Sequence, residues 1–165
     1  MLKYSVFLIP TSLMWWVTNS SDKVMLSSMV GVAATGIYSV SYKLPTLLST
    51  CSAIFNVAWS YSAIKENESD DREEYNTAVY NGLVSGVLIA ASGLMLILEP
   101  FMRIYVAQEY YSAWMYTPWL IVGTAFLTLG SFLATMYTVY KDSKGFLKSG
   151  AAGAVLNIIL NAVLI

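Results

Sequence analysis

GIYSVSYKLPTLLSTCSAIFNVAWSYSAIK, residues 36–65, reads as one long apolar helix with a lysine, Lys43, set well inside it. Ser39, Lys43, Thr46, Thr50, Asn56 and Ser60 recur at roughly helical spacing and are expected to form a polar stripe. Leu44, Leu47, Leu48, Ile54 and Val57 occupy much of the remaining surface. A charge inside a membrane span is costly, so it is expected to face a bundle interior or a watery cavity rather than lipid. The stretch therefore has the character of a segment bordering a transport pathway.

The rest of the chain is consistent with such a helix. Of its 165 residues, 57% are hydrophobic and 12% charged, against about 25% charged for an ordinary soluble domain. The charges are also segregated. Tyr4 to Ser21, Leu44 to Ile64, Tyr75 to Leu98, Tyr110 to Tyr140 and Ser149 to Ile165 contain none. Each run is about as long as a helix needs to cross a hydrocarbon core of about 30 Å. Barrel strands would be shorter and would alternate apolar with polar residues. The fold class expected is therefore all-α, a polytopic transmembrane helical bundle of about five spans.

The spans are placed at about 4–29, 37–64, 75–98, 114–139 and 149–165. Pro10 is expected to kink the first, and Gly31 and Gly36 to punctuate the turn after it. A division that makes 24–42 a span of its own, between Lys23 and Lys43, gives six. The acidic segment 65–74 and the lysine-rich segment 140–148 read as solvated loops. Tyr105, Tyr110, Tyr111, Trp114, Tyr116 and Trp119 resemble an interfacial aromatic belt, and Gly82 and Gly86 form a small-xxx-small pattern. Lys3, Lys65, Arg72, Lys141, Lys144 and Lys148 fall on one side against Lys23 and Arg103 on the other. That side, with the N-terminus and both loops, is expected to be cytoplasmic. The chain closes at Ile165 within an apolar run, which reads as a fragment of a longer protein.

Several classes of function are disfavoured by composition. A net charge of −1 without a basic patch argues against nucleic acid as a partner. With no histidine and only Cys51, neither a disulfide framework nor a Cys/His metal or catalytic pair can be assembled. Nucleophile elbow, P-loop and paired intramembrane carboxylates are all missing, so no enzymatic activity and no cofactor are expected. A membrane-embedded enzyme of glycan assembly would share the hydropathy, but it should carry larger outer loops.

The candidate site residues are Trp15, Asn19, Asp22, Lys23, Lys43 and Asn56. Asp22 and Lys43 fall about 10 to 14 Å from the bend at 31–36 on its two arms, at about 1.5 Å per residue, and could meet across a hairpin. Two readings follow, beside a third in which the lysines merely snorkel to the interface. In one, Asp22 neutralises Lys43 or Lys23 and pins two helices together. In the other, the face lines a hydrated cavity in which a lysine attracts an anionic group such as a diphosphate. Trp15 has the shape to stack on a sugar, while Asn56, Asn157 and Asn161 suit hydrogen bonds between helices.

The order Pro10, Trp16, Asn19-Ser-Ser-Asp22-Lys23, then Gly36-Ile-Tyr38-Ser-Val-Ser-Tyr-Lys43-Leu-Pro45, then Phe55-Asn-Val-Ala-Trp59 resembles the polysaccharide-transport branch of the multidrug/oligosaccharidyl-lipid/polysaccharide exporter superfamily. Lys148-Ser-Gly, Gly153-Ala and Leu156-Asn157-Ile-Ile-Leu-Asn161 are similar to its pattern in a later helix. Where that pattern has Asp-Arg, this chain has Asp22-Lys23, which keeps the charge and loses the bidentate fork. The resemblance implies a full protein of about fourteen helices in two bundles, with this chain matching about the seventh to eleventh. It further implies alternating access around a central cationic cavity in the cytoplasmic membrane, with a polyprenyl-diphosphate-linked glycan as substrate. It leaves the coupling ion open. A drug/cation antiporter of the same superfamily is the nearest alternative, and it would want an ionisable carboxylate in the cavity.

Overall fold

The computed structural model describes Leu13 and residues 20–21, 23–66 and 69–164. Among these, no strand occurs and the helices are α1 (Val32–Ser41), α2 (Lys43–Glu66), α3 (Arg72–Tyr105), α4 (Thr117–Val139) and α5 (Ser143–Leu164), with a helical segment at 23–29 before α1. A 3₁₀ stretch, Gln108–Met115, joins α3 to α4. Lys43–Glu66, Arg72–Tyr105, Thr117–Val139 and Ser143–Val163 are long and apolar enough to cross a membrane. This is the build of a helical membrane protein. The first expected span falls mostly outside the described residues.

Local chemistry sets the helix ends. The segment 23–29 ends in a turn in which Leu26 O accepts from both Val30 N and Gly31 N, at 3.0 and 3.1 Å. Gly31 sits there at φ 116°, a conformation that L side chains rarely adopt and that glycine takes freely. Gly36, expected in the same turn, is instead an ordinary residue of α1. The helix next breaks at Tyr42 because of Pro45. Its nitrogen has no proton for the Ser41 carbonyl, and its ring crowds that oxygen. Beyond the break the path resumes, with Thr46 N on Tyr42 O at 3.0 Å.

α3 is longer than the hydropathy suggested. It takes in Arg72, Glu73 and Glu74, whose carboxylates suit a helix N-terminus, and it runs on through Pro100 to Tyr105. α5 starts at Ser143 rather than near Ser149, so much of the expected 140–148 loop is helical. Asp142 caps it by accepting the Gly145 N–H at 2.9 Å.

The chain divides into two compact units, one of them Ile37–Val139. Within that unit α2, α3 and α4 pack on one another, α2 with α4 most extensively. Side-chain partners give the directions. Ser41 meets Ala113, Ser52 meets Thr128, and Asn56 meets Ser131, so α2 and α4 run parallel. α3 runs against them, since Leu44 packs with Leu98 and Met102 while Trp59 and Ala63 pack near Tyr75 and Val79. The core has two centres. Near one end, Leu44, Leu98 and Met102 are almost wholly buried. Toward the other, Trp59 stacks on Phe132 with ring centroids 4.4 Å apart, and Tyr80 lies 5.3 Å from the same phenylalanine.

In the second unit, the Ser21 hydroxyl donates to Asn157 Oδ1 at 2.9 Å, and Asn161 Nδ2 donates to the same oxygen at 3.4 Å. Asn157 thus ties α5 to the helical residues near 21, as expected of an asparagine between apolar helices.

Candidate functional site

The expected polar stripe is two separate features. Ser39, Lys43, Thr46 and Thr50 are exposed and share a face. Asn56 stands about 140° around α2 from Lys43 and about 20 Å along it, given about 100° and 1.5 Å per residue. It faces α4, with its Nδ2 donating to Ser131 Oγ at 2.8 Å, and Ser60 is half-buried and bonds back to Asn56 O. The steps of four and three from Ser39 to Thr50 keep one face, but the step of six from Thr50 to Asn56 turns about 120° away from it, at about 100° per residue.

Lys43 also lies elsewhere than expected. It is the first residue of α2 rather than a mid-span group, because Pro45 ends the preceding helix just before it. Its neighbour Leu44 packs on Leu98 and Met102, so Lys43 is level with Glu99 and Arg103. Those two form an exposed i,i+4 ion pair at 2.7 Å. At the other end of the unit stand Lys65, Glu66, Asp70, Asp71, Arg72, Glu73 and Glu74. Between the two charged levels the uncharged stretches of α2, α3 and α4 each extend about 30 to 36 Å at about 1.5 Å per residue.

The exposed face therefore changes character along α2. Its first turns present Lys43, Thr46 and Thr50, and the remainder presents Ile54, Val57, Tyr61 and Ile64. The Thr46 and Thr50 hydroxyls donate to the carbonyls four residues back, at 2.7 and 2.8 Å. Such back-bonding lets a hydroxyl sit in an apolar setting at low cost. Lys43 has no such internal option.

The opposite face of α2 and the matching face of α4 form a buried hydroxyl seam. Ser41, Thr117, Thr124 and Thr128 are all at most 3% exposed. Ser52 Oγ and Thr128 Oγ1 are 2.8 Å apart, and each also bonds a carbonyl of its own helix. Two polar atoms in this region, Asn56 Oδ1 and Trp59 Nε1, are buried without a hydrogen-bond partner. Sequence reasoning misses the seam, although Thr117, Thr124, Thr128, Ser131 and Thr135 recur at helical spacing on α4.

Of the other expected site residues, Lys23 is exposed. Trp15, Asn19 and Asp22 lie outside the described residues, as does the suggested pairing of Asp22 with Lys43. Compared with protein-family models, with curated proteins and with solved structures, the chain matches none.

Proposed function

We propose that this chain belongs to a transporter that flips a lipid-linked oligosaccharide across the cytoplasmic membrane by alternating access. The observation that carries the reading is the exposed patch of Ser39, Lys43, Thr46 and Thr50, which sets a lysine beside three hydroxyls at the head of a long apolar helix. An ammonium group held there with hydroxyls beside it suits an anionic headgroup in a hydrated space. In this reading the span begins on the cytoplasmic side at Lys65 and Arg72. Lys43 then stands at the outer mouth of the cavity, where a diphosphate is released. Counting Lys43 with Lys23 and Arg103 leaves the positive bias on the cytoplasmic side, where Lys3, Lys65, Arg72, Lys141, Lys144 and Lys148 collect. The sequence resemblance supplies the glycan and the polyprenyl carrier.

A drug/cation antiporter would rely on a carboxylate in mid-span. Among the described residues, the Asp and Glu side chains of unit 37–139 all lie near its two ends, which favours the flippase reading.

The test uses the full-length protein with Lys43→Ala and Lys43→Arg, in a cell whose surface polysaccharide depends on it. Membrane abundance and polymer export are both quantified. The expected result is unchanged abundance, loss of export in alanine and partial return in arginine. Abundance that falls in parallel with export would make Lys43 architectural and refute its role in the cavity.

A further inference from the structure

α5 carries its lysines and its interhelical contact on opposite sides. The contact is made by Asn157, which accepts from Ser21, with Asn161 beside it. At about 100° per residue, Asn157 stands about 180° around the helix from Lys148, and Asn161 about 140°. Lys144, Ala152, Val155 and Ile159 all fall within about 40° of Lys148, and all five residues are exposed. Lys141, also exposed, adds a third positive charge in the turn just before the helix.

From its N-terminal end this column is therefore cationic and then apolar. Lys144 and Lys148 are one turn apart, close enough for both ammonium groups to reach a single phosphate. Beyond them Val155, Ile159 and Val163 are 57%, 54% and 75% exposed. From Ala152 to Val163 the apolar part extends about 16 Å at about 1.5 Å per residue, close to half of a hydrocarbon core of about 30 Å. Ser143–Val163 is itself long and apolar enough to cross a membrane, so the change from lysine to aliphatic side chains falls where headgroups give way to acyl chains.

The protein does not answer these cations itself. Asp142 is the one acid in residues 140–165, and its carboxylate accepts the Gly145 N–H at 2.9 Å. Among the described residues, none of the three lysines has an ion-pair partner. Like charges four residues apart on a helix repel, and both lysines stand toward the positive end of the helix dipole. A bound anion relieves both costs.

We propose that this column of α5 binds an anionic phospholipid of the surrounding leaflet. Its phosphate is held by Lys144 and Lys148, and an acyl chain lies along Ala152, Val155 and Ile159. A soluble phosphate would use the lysines and leave the apolar line below them idle, and a neutral phospholipid would do the reverse. The inference needs only that α5 crosses the membrane, and it holds whatever the protein transports.

The test is photo-crosslinking of the full-length protein in nanodiscs of equal parts phosphatidylglycerol and phosphatidylcholine, with p-benzoylphenylalanine at Val155 and the captured lipid identified by mass. The parent is expected to capture phosphatidylglycerol in strong preference. A lysine at an anionic surface contributes about five-fold, so Lys144→Gln and Lys148→Gln should each lower the preference by about that factor, while Lys144→Arg keeps it. The same probe at Ile89, 74% exposed in the middle of α3, should capture the two lipids about equally. Equal capture at Val155 in the parent, or a preference unchanged in the Lys144→Gln, Lys148→Gln double variant, would overturn the site. A preference at Ile89 as strong as at Val155 would make the attraction general and overturn it too. A trace of polyprenyl diphosphate should leave the ratio unchanged, and its capture in place of phosphatidylglycerol would refute a phospholipid as the occupant. None of these readouts involves export, so they are separable from the test at Lys43.

Discussion

Asn56→Leu should leave the bundle as stable as before, or more stable, although it removes a hydrogen bond between two helices. The two amide ends of Asn56 have opposite effects. Nδ2 donates to Ser131 Oγ at 2.8 Å, and interhelical bonds of this kind in a bilayer contribute about 0.6 kcal/mol on average. Oδ1 is buried with no donor, and an unsatisfied buried acceptor costs about 1–3 kcal/mol. Leucine has nearly the shape of asparagine, so packing against α4 changes little. Ser131 keeps its own donation to Thr128 O at 2.8 Å. The net is between about 0 and 2 kcal/mol in favour of the variant, combining those two magnitudes. Reversible unfolding of the purified full-length protein in mixed micelles, followed by tryptophan emission, measures it. A loss of more than about 1 kcal/mol, beyond what the amide donor supplies, would refute the reasoning. It would mean that Oδ1 has a partner and that Asn56 is there to hold α2 on α4. If stability holds or rises while export falls, the asparagine is retained for work rather than for strength.

Phe132→Ala removes the ring that Trp59 stacks upon and Tyr80 packs against at a tilt, and it should cost about 3 kcal/mol in the same unfolding assay, at the lower end of the soluble range because lipid exposure penalises apolar surface little. Phe132→Leu should recover most of that loss, and equal losses in the two variants would deny that the cavity term dominates. Gly31→Ala meets open space, with no atom within 4 Å of the added Cβ, so its effect is purely conformational at φ 116°. The expected cost is about 1–3 kcal/mol, seen as faster amide exchange around residues 26–35. Unchanged exchange there would show that the turn adopts another conformation at no cost.

The expectation of membrane-crossing helices rests on charge segregation, a signal with few alternatives in so apolar a chain. Leu44 to Ile64, Tyr75 to Leu98 and Tyr110 to Tyr140 each contain one of the long helices or most of it. The ends are harder to read, because polar residues can belong to a helix that has left the hydrocarbon. Arg72 to Glu74 and Ser143 to Lys148 are helical for that reason, and Asp142 is the cap that announces the second case. Lys43 is misplaced in the sequence reading because Pro45 looks like a perturbation within a span, whereas it separates two helices. The hydroxyl seam is illegible for a different reason. Ser and Thr in apolar helices usually serve their own backbone, and only the parallel pairing of α2 with α4 turns Ser52 and Asn56 toward partners.

The partnerships of Ser41, Ser52 and Asn56 join residues 72 to 76 positions apart. During synthesis α2 therefore leaves the ribosome well before the helix it pairs with. At about 5–20 residues per second that interval is roughly 4 to 15 s. Ser41 and Ser52 can wait, since each hydroxyl has a carbonyl of its own helix within reach, at 2.8 and 2.7 Å. The Asn56 amide instead reaches across to Ser131, so until α4 arrives it must be held by water, by the insertion machinery or by another chain. The order in which the helices are born makes this one side chain the point at which assembly of the bundle is most open to error.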